Sequence, residues 1–538
     1  MFYEYNQILQ ANEARKKVKE GINIATDLVS KTLGAKSQRI LIDKEFGEIE
    51  SCDDGTTVLN AIKIEDTQVG LGVKVVQEAS AKTNSDAGDG TTTTAVILRA
   101  LVNELMKDNT QDVLSFEKKS GNNLKVRNEL RRGLEKVIKY IDENKTEINT
   151  KFQISQIGKV SANSEEIGDM LAEIFDKLGK NGEVTVSDGN QLKTKYEITE
   201  GFSFRNGWLA YEFVTDPERE EAVLDSVNGP VNILVTTETL NDVSHIEKLG
   251  ELHKAGINDL LIVANDVTGI PLSSLVVNKL RKIFRTVAVK SPTVGNNDAM
   301  EDICDITGAT LLGATGQLKF SELSISHLGK ASKVVVSKDK TIVVGLGNNE
   351  ALDKKIQNLE YKAEKADSEY DKKNILERIS KLRVGIGHII VGGNTPLEIK
   401  DRKGKITDAV FAVKSALLDG AVAGGGVTLL QASRILEDGV EGERILKIAI
   451  QKPFEQIMEN SDMNIKDMKE MCLKTGHGVD AETGEIGDVV KMGIIDPAGV
   501  VKISLSNAVS NALVVSNLGG ALALVRNKKE NKENDTQS

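Results

Sequence analysis

The spacing of apolar residues divides this chain into two helical ends and a mixed middle. In the first 144 residues, apolar side chains recur every three or four positions, which is the spacing of one helix face. Helix periodicity returns from about residue 405 onward. The predicted N-terminal helices cover residues 6–34, 69–87, 95–105 and 129–144, with an exposed polar loop over 107–128.

The middle of the chain carries short apolar runs of strand length. Residues 231–235 and 260–263 are such runs, and helical patterns separate them, which predicts an α/β module. Residues 352–383 are charged but keep an apolar stripe at helix spacing, which predicts a solvated two-helix hairpin. Residues 39–43 and 48–52 predict a β-hairpin. The pattern therefore predicts a multidomain protein of α and α/β parts, with one helical domain built from both termini.

Composition and charge narrow the classes of function. The 538 residues suggest three or four domains, and a net charge of −11 disfavours binding to nucleic acid or anionic membranes. The three cysteines lie far apart and the five histidines show no metal-ligand spacing, which argues against disulfides or zinc. The N-terminus shows no secretory signal, and the apolar stretch 512–525 is shorter than the ~18 residues of a membrane span. We therefore expect a cytoplasmic protein without nucleic-acid or membrane partners.

The strongest chemical candidate is the run Gly88-Asp89-Gly90-Thr91-Thr92-Thr93. It precedes a predicted helix, whose first turn offers unpaired N–H groups and a partial positive charge to a phosphate. Glycines permit a close backbone approach, threonine hydroxyls add donors, and Asp89 suits a magnesium ion that bridges to phosphate. On this motif alone, a plain helix start capped by Asp89 is the slightly favoured alternative.

Two further glycine motifs and two acids are ambiguous by themselves. Residues 32–36 either end a helix or contact phosphate, and residues 423–427 either allow close helix packing or lie beneath a nucleotide. The second motif does not fit the P-loop pattern, because no Gly-Lys-Ser/Thr follows it. Asp54 and Asp408 adjoin turns or loop–helix junctions, where a carboxylate either caps a helix or orients water in an ATPase.

Together and in this order, the motifs resemble the group I chaperonins, the GroEL-like family. The resemblance runs from about residue 12 to about residue 525. Its markers are Thr32-Leu33-Gly34, Asp54-Gly55, 87–93, 161–164, Asp408-Ala409, 423–427 and 493–497. It implies a chaperonin fold with a mainly helical equatorial domain (1–144 and 420–526), an α/β intermediate domain (145–200 and 386–419), an α/β apical domain (201–385) and a disordered tail (527–538).

The resemblance also implies roles around bound ATP. Asp89 would hold the magnesium ion, Asp408 would position the attacking water with help from Asp54, and a potassium ion would lie near Thr32 and Thr92. The residues around the phosphates would be Thr32, Leu33, Gly34, Ala35, Asp53, Gly88, Gly90, Thr91, Thr92 and Thr93. The residues on the ribose and adenine side would be Gly425, Asp480, Ala481, Ile494 and Asp496.

For the apical domain, the resemblance implies a groove between two helices that binds unfolded chains. Apolar periodicity alone would instead predict core packing at these positions. Gly201 and Gly385 would be the apical hinges and Gly420 the equatorial hinge, because glycine tolerates large dihedral changes. The client- and co-chaperonin-binding residues would be Trp208, Phe213, Ile246, Leu249, Val276 and Val277.

Six features depart from the family pattern. Ala35 stands where proline is usual, and Asp53 where lysine is usual, so an acid lies near the expected phosphates. Glu212 and His253 make the expected client surface more polar. The loop 292–297 lacks the usual basic residues, and the charged tail lacks Gly-Gly-Met repeats. These departures predict a divergent member, either phage-encoded or from an unusual bacterium.

The resemblance predicts an ATP-dependent chaperone that forms one or two rings of seven subunits, folds client proteins and uses a small co-chaperonin as a lid. One alternative is a chaperonin-fold scaffold or holdase with reduced turnover and no separate lid. Another is a metabolic ATPase or kinase, for which the sequence offers no acceptor pocket. Retention of Asp54, Asp89 and Asp408 favours the active chaperonin over the scaffold.

Overall fold

The computed structural model separates the chain into two compact units. One unit comprises Met1–Ala172 and Gly404–Ser538, and the other comprises Glu173–Lys403. The first unit contains both helical ends of the chain, and the equatorial, intermediate and apical domains stay a prediction. The structure describes residues 2–43, 49–107, 116–180, 182–189, 191–199, 201–217, 219–225, 229–292, 298–313, 318–345, 357–362 and 386–528.

Long helices dominate the unit built from the two ends, and two helices, α7 and α11, run across the boundary between the units. In chain order the helices are α1 (Ala11–Val29), α2 (Gly55–Ala61), α3 (Thr67–Ala87), α4 (Thr91–Leu105), α5 (Phe116–Asn144), α6 (Lys151–Ala162), α7 (Glu165–Leu178), α8 (Val243–Lys254), α9 (Gly269–Leu280), α10 (Asp298–Thr307), α11 (Pro396–Asp419), α12 (Val427–Ala432), α13 (Glu441–Ile450), α14 (Lys452–Asn460), α15 (Ile465–Thr475) and α16 (Ala498–Ser516).

Strands concentrate in the unit formed by the middle of the chain. In chain order they are β1 (Phe2–Gln10), β2 (Ile40–Asp43), β3 (Ile49–Cys52), β4 (Glu183–Asp188), β5 (Lys195–Thr199), β6 (Gly201–Phe204), β7 (Ala222–Asp225), β8 (Val231–Leu240), β9 (Asp259–Val267), β10 (Arg285–Lys290), β11 (Leu311–Leu312), β12 (Gly329–Ala331), β13 (Lys333–Val336), β14 (Thr341–Val344), β15 (Ile386–Val391), β16 (Ala421–Ala423), β17 (Gly478–Val479), β18 (Ile486–Gly487), β19 (Ile495–Pro497) and β20 (Gly520–Lys528).

The sheets of the middle unit follow the predicted α/β pattern. The largest has the order β10-β9-β8-β11, with these neighbours parallel and β12 antiparallel to β8. Helices α8 and α9 follow β8 and β9 directly along the chain, as crossover connections in parallel sheets require. A second sheet has the order β6-β14-β13-β7, and a third the order β4-β15-β5.

The helical unit buries the stripe that the sequence spacing predicts. Val18, Ile22, Ala25 and Val29 of α1 are at most 2 % exposed and pack in one core with side chains of α3, α4 and α16. The burial follows from their recurrence every three or four residues, which places them on one face of α1. The predicted hairpin is also confirmed, because β2 and β3 pair antiparallel.

Helix α16 is long and apolar enough to cross a membrane by length and composition, but half of its apolar window is buried in the protein. Leu505, Ala508, Val509 and Ala512 are at most 1 % exposed and belong to the same core as α1. The sequence-based expectation of a stretch at 512–525 too short to span a membrane concerned only the end of this helix and the strand after it. The packing is that of a core helix.

Two local predictions were wrong. Residues 6–10 belong to β1 rather than to the first helix, because β1 pairs along its whole length with β20 at the other end of the chain. Residues 116–128 belong to α5 rather than to a loop. The prediction failed because a polar helix and a loop have similar compositions. Of the predicted hairpin 352–383, only residues 357–362 are described, and they are helical.

Candidate functional site

The threonine run forms the first turn of helix α4, which begins at Thr91 rather than at the predicted residue 95. Gly88 ends α3 at φ 71° and Gly90 precedes α4 at φ 85°, both in the left-handed region that favours glycine. The N-cap residue of α4 is Gly90, which has no side chain to accept from the N–H groups of the first turn. The alternative that Asp89 is a plain helix cap therefore loses its basis. Thr91 and Thr92 are nearly buried in this turn.

Asp89 lies beside this helix start in a partly buried, polar environment. Its carboxylate accepts hydrogen bonds from the backbone N–H of Gly90 and from Ser161 Oγ, at 3.1 Å for the latter. Burial raises the pKa of Asp89, and the negative charge of Asp54 raises it further. Burial and the charge of Asp89 likewise raise the pKa of Asp496 to about 6. The Asp89 carboxylate therefore interacts electrostatically with both Asp54 and Asp496.

These oxygen donors suit a magnesium ion, which prefers carboxylate and hydroxyl oxygen and retains water or phosphate ligands. In the part of the chain that the structure describes, no group of three or more His, Cys, Asp or Glu side chains forms a complete metal cage. An ion here would thus complete its coordination with phosphate and water. Asp89 is the carboxylate best placed to hold it, next to the α4 helix start.

The turn after α1 lies against the threonine run. Thr32 Oγ1 and Thr92 Oγ1 are 3.3 Å apart, and Gly34 has φ 94°. Asn460 Nδ2 donates to the carbonyl oxygens of Ser30 and Leu33, both at 2.8 Å, and so fixes the path of this turn. Sequence reasoning missed Asn460, because nothing in its local sequence marks partners 430 and 427 residues away. Ala35 follows the turn on the surface.

The segment that contains Asp54 contacts the threonine run at Gly55. Its Oδ2 caps α2 by accepting from Thr57 N at 2.7 Å, and its own N–H donates to Cys52 Sγ at 3.3 Å. A Cβ on Gly55 would lie only 2.4 Å from Thr92 Oγ1, so the backbone beside Asp54 touches the threonine hydroxyl. Burial raises the pKa of the Cys52 thiol to about 11, so it remains a neutral thiol.

The triple glycine and Asp496 meet in a short antiparallel strand pair. Strand β16 pairs with β19, and the Gly425 N–H donates to the Asp496 carboxylate. A Cβ on Gly424 would lie 3.0 Å from Asp496 Oδ1, which explains the need for glycine beside this acid. Gly425 itself has φ 64°.

The residues predicted on the adenine side contribute an apolar wall. Leu33, Ala481 and Ile494 belong to one cluster that also contains Phe454 of α14. Asp480 instead holds its own turn, because its carboxylate accepts from the backbone N–H of Glu482 at 2.8 Å. The arrangement places an apolar surface next to the glycines and the acids, as a nucleoside would require.

Helix α11 carries Asp408 between two residues that contact this site. Lys405, Asp408 and Phe411 follow each other at intervals of three residues and therefore share one helix face. Lys405 Nζ lies 3.1 Å from Asp53 Oδ2. A Cβ on Gly88 would lie 2.2 Å from Phe411 Cγ, so the ring packs directly over Gly88. Asp408 thus occupies the middle of a face whose two ends touch the phosphate-side segments.

The predicted client residues separate into surface and core. Val277 is 43 % exposed on α9, and Trp208, Ile246 and Val276 are partly exposed. Phe213 and Leu249 are at most 2 % exposed, so the structure moves both from the predicted client surface to the core. The resemblance assigned both residues to the client surface, whereas apolar periodicity alone predicts core packing, and for these two the core prediction is correct. Exposed apolar side chains that the sequence reasoning missed are Val243, Ile270, Leu280 and Ile283.

The two polar departures near this surface have structural partners. His253 stacks on Phe284, with ring centroids 5.2 Å apart, and is partly buried rather than offered to a client. Lys279 Nζ donates to the backbone carbonyl of Glu212 at 2.6 Å. The main chain at Glu212 is therefore hydrogen-bonded to a side chain of helix α9.

The three predicted hinge glycines differ in their surroundings. Gly420 links α11 to β16 at φ 84°, a conformation that favours glycine. Gly201 begins β6, and a Cβ there would lie 2.2 Å from Ile386 Cδ1, so close packing requires glycine. Gly385 lies outside the described residues, as does most of the loop 292–297. Their hinge role stays a prediction.

Known proteins share this fold along nearly the whole chain. A model of the TCP-1/cpn60 chaperonin family matches residues 25–515. A similar solved structure is the chaperonin gp146 from bacteriophage EL 2 (Pseudomonas aeruginosa), crystallised in the presence of ATP-BeFx, with 95 % of this chain and 98 % of that chain covered. In crystal form II the identity is 19 % and the TM-score 0.64, and in crystal form I they are 20 % and 0.59. The predicted chaperonin fold is thereby confirmed.

Proposed function

This chain belongs to the TCP-1/cpn60 chaperonin family, and from that premise we propose that it is an ATP-hydrolysing molecular chaperone. The observation that carries the proposal is the convergence of an uncapped helix start, buried threonines and the carboxylates of Asp54, Asp89 and Asp496. The crystallisation of the similar phage chaperonin with ATP-BeFx supports a nucleotide as the ligand.

Each part of the candidate site has a role in ATP hydrolysis. The N–H groups at the start of α4 and the hydroxyls of Thr91, Thr92 and Thr93 bind phosphate oxygens. Asp89 would hold a magnesium ion, and Thr32 and Thr92 would lie beside a potassium ion; when bound, these ions would neutralise phosphate charge. The apolar wall with Leu33, Ala481 and Ile494 packs against the nucleoside.

Hydrolysis itself requires an oriented water molecule. Asp408 accepts a hydrogen bond from this water, and Asp54 assists from the start of α2. The water oxygen forms a bond to the γ-phosphorus, while the bond from that phosphorus to the β–γ bridging oxygen breaks. ADP and inorganic phosphate leave, and the proton of the water passes to the carboxylate or to phosphate.

The chaperone cycle follows from a change in which surfaces are available. The exposed apolar side chains of α8 and α9, among them Val277 and Leu280, bind apolar segments of unfolded proteins. ATP binding favours a ring state in which these side chains are withdrawn, and the client is released. We propose a homo-oligomeric ring of seven subunits in the cytoplasm, with a small co-chaperonin as lid.

The test combines assembly, turnover and client release. We expect electron microscopy to show rings, and we expect ATP hydrolysis to change when an unfolded protein is added. Release of that protein should depend on ATP and magnesium. Rings without turnover would instead support the scaffold or holdase. A monomer whose ATPase ignores unfolded protein would support a metabolic ATPase.

A further inference from the structure

We infer that Asp53 is a positioning residue, whose ion pair with Lys405 holds helix α11 and thereby aligns Asp408 for hydrolysis. The inference rests on the proposed ATPase function. Asp53 stands where the resembling family usually has a lysine, so its charge is reversed beside the expected phosphates. The structure gives this acid a different partner on the helix that carries Asp408.

The Asp53 end of the pair is anchored on the β2–β3 hairpin. Asp53 Oδ2 lies 3.1 Å from Lys405 Nζ and 3.7 Å from Arg39 Nη1. Arg39 is itself held by Ser51, because its Nε donates to Ser51 Oγ at 3.0 Å and its Nη2 to Ser51 O at 2.7 Å. The Asp53 side chain is 20 % exposed and that of Lys405 30 %, so water screens this pair only in part.

The Lys405 end determines where Asp408 lies. Lys405 and Phe411 are each three residues from Asp408, or about 4.5 Å along the helix axis. The ion pair fixes one end of this face, and the packing of Phe411 over Gly88 fixes the other. Asp408 is held between two contacts to the segments that precede α2 and α4.

The same geometry explains how an acid is tolerated near phosphate. Two cations face the Asp53 carboxylate, so its charge is balanced within the protein. A lysine at this position would face Lys405 and Arg39 and repel both. The ion pair thus predicts that Asp53 affects the rate of hydrolysis and leaves nucleotide affinity nearly unchanged.

The kinetic test compares four variants with the wild-type full-length protein. Asp53→Asn and Lys405→Gln remove the pair, and Asp53→Lys with Lys405→Asp reverses it. The matched control is Lys403→Gln, since Lys403 lies on the same helix but pairs with Asp188 at 3.0 Å. We expect either single variant to lower kcat about fivefold, with ADP affinity within about twofold of wild type. The reversed pair should recover only part of the kcat, because the lysine at position 53 still faces Arg39, and the control should keep all of it.

A structural readout separates the ion pair from turnover. A zero-length carbodiimide should join the Asp53 carboxylate to the Lys405 amine with loss of water, detected by peptide mass spectrometry. We expect this cross-link in wild type and in Lys403→Gln, and its absence in Lys405→Gln. Absence of this cross-link in wild type would contradict the Asp53–Lys405 ion pair.

The remaining outcomes are equally decisive. A normal kcat in Asp53→Asn would overturn the positioning role even if the cross-link forms. A loss of ADP affinity with kcat retained would make Asp53 a nucleotide contact instead. Wild-type protein that cross-links but hydrolyses no ATP would overturn the proposed function, and with it the catalytic part of the inference.

Discussion

Replacement of Gly55 by alanine adds one methyl group at the point where the Asp54 segment touches the threonine run. A Cβ there would lie 2.4 Å from Thr92 Oγ1, 2.9 Å from Thr91 Oγ1 and 3.4 Å from Val29 Cγ2. A relaxed carbon–oxygen contact is roughly 3.5 Å, so Thr92 or the start of α2 has to move by about 1 Å. The backbone of Gly55 is helical, and alanine is otherwise compatible with it.

The expected cost follows from packing and hydrogen bonding. Overfilling a packed site costs about 1–3 kcal/mol, and rotation of Thr92 also breaks its contact with Thr32 Oγ1 at 3.3 Å. If the substitution destabilises the nucleotide-bound protein by about 2 kcal/mol relative to the free protein, ADP affinity falls about 30-fold. The protein should still fold, because the change is local to one side chain.

Isothermal titration with ADP and thermal melting of the same preparation measure both effects. The matched control is Gly70→Ala in α3, where a Cβ would meet nothing within 4 Å. That variant should keep its affinity and gain about 0.5–1 kcal/mol of stability from helix propensity. Thr92→Ala, combined with Gly55→Ala, should remove the collision and give a non-additive recovery of stability. If Gly55→Ala binds ADP as tightly as Gly70→Ala, the reasoning is refuted.

Three further predictions concern turnover, pH and client binding. Asp408→Ala should lower ATP turnover about 100-fold or more while ATP still binds, and undiminished single-turnover hydrolysis would remove Asp408 from the mechanism. His388 is held between two hydroxyls at 2.9 and 3.0 Å, and chiefly burial lowers its pKa from 6.5 to about 4. The unfolded chain therefore takes up a proton at a higher pH than the folded protein does. The free energy of unfolding should fall as the pH drops from about 6.5 to about 4, by at most about 3 kcal/mol and by less where water screens the group. Denaturation of His388→Gln across this window should show a smaller fall, and parallel curves would contradict the assignment. Val277→Asp should weaken capture of an unfolded protein in a binding assay without lowering the melting temperature, because this side chain is 43 % exposed, and unchanged capture would exclude it from the client surface.

The candidate site shows which signals are local and which are not. The presence of α4 after Gly88 and Gly90 was predictable, because helix periodicity is a property of a short segment, but its start at Thr91 rather than residue 95 was not. The structure also shows that Gly90 is the cap residue of α4, which removes the interpretation of Asp89 as a plain helix cap. Asn460 carries no local signal, since its role depends on two carbonyl groups of a distant turn.

The polar residues that depart from the family pattern show the same limit of sequence-based prediction. The sequence marks Asp53 as an acid where lysine is usual, but its partners Lys405 and Arg39 are known only from the fold. From residue type alone, the Asp53 charge beside the expected phosphates is unbalanced, whereas in the fold two cations balance it. His253 likewise stacks on an aromatic ring, a contact that residue type alone does not reveal.

By itself, the sequence determined the alternation of helical ends and α/β middle, the buried stripe of α1, and the order of motifs that identifies the chaperonin family. These features depend only on the order and spacing of residues along the chain, so they can be recognised without knowing any tertiary contact. Only the tertiary structure decided that β1 pairs with β20, that Phe213 and Leu249 are core, and that Lys405 faces Asp53. Each of these depends on which surface covers a residue, and that surface comes from chain segments far away in sequence.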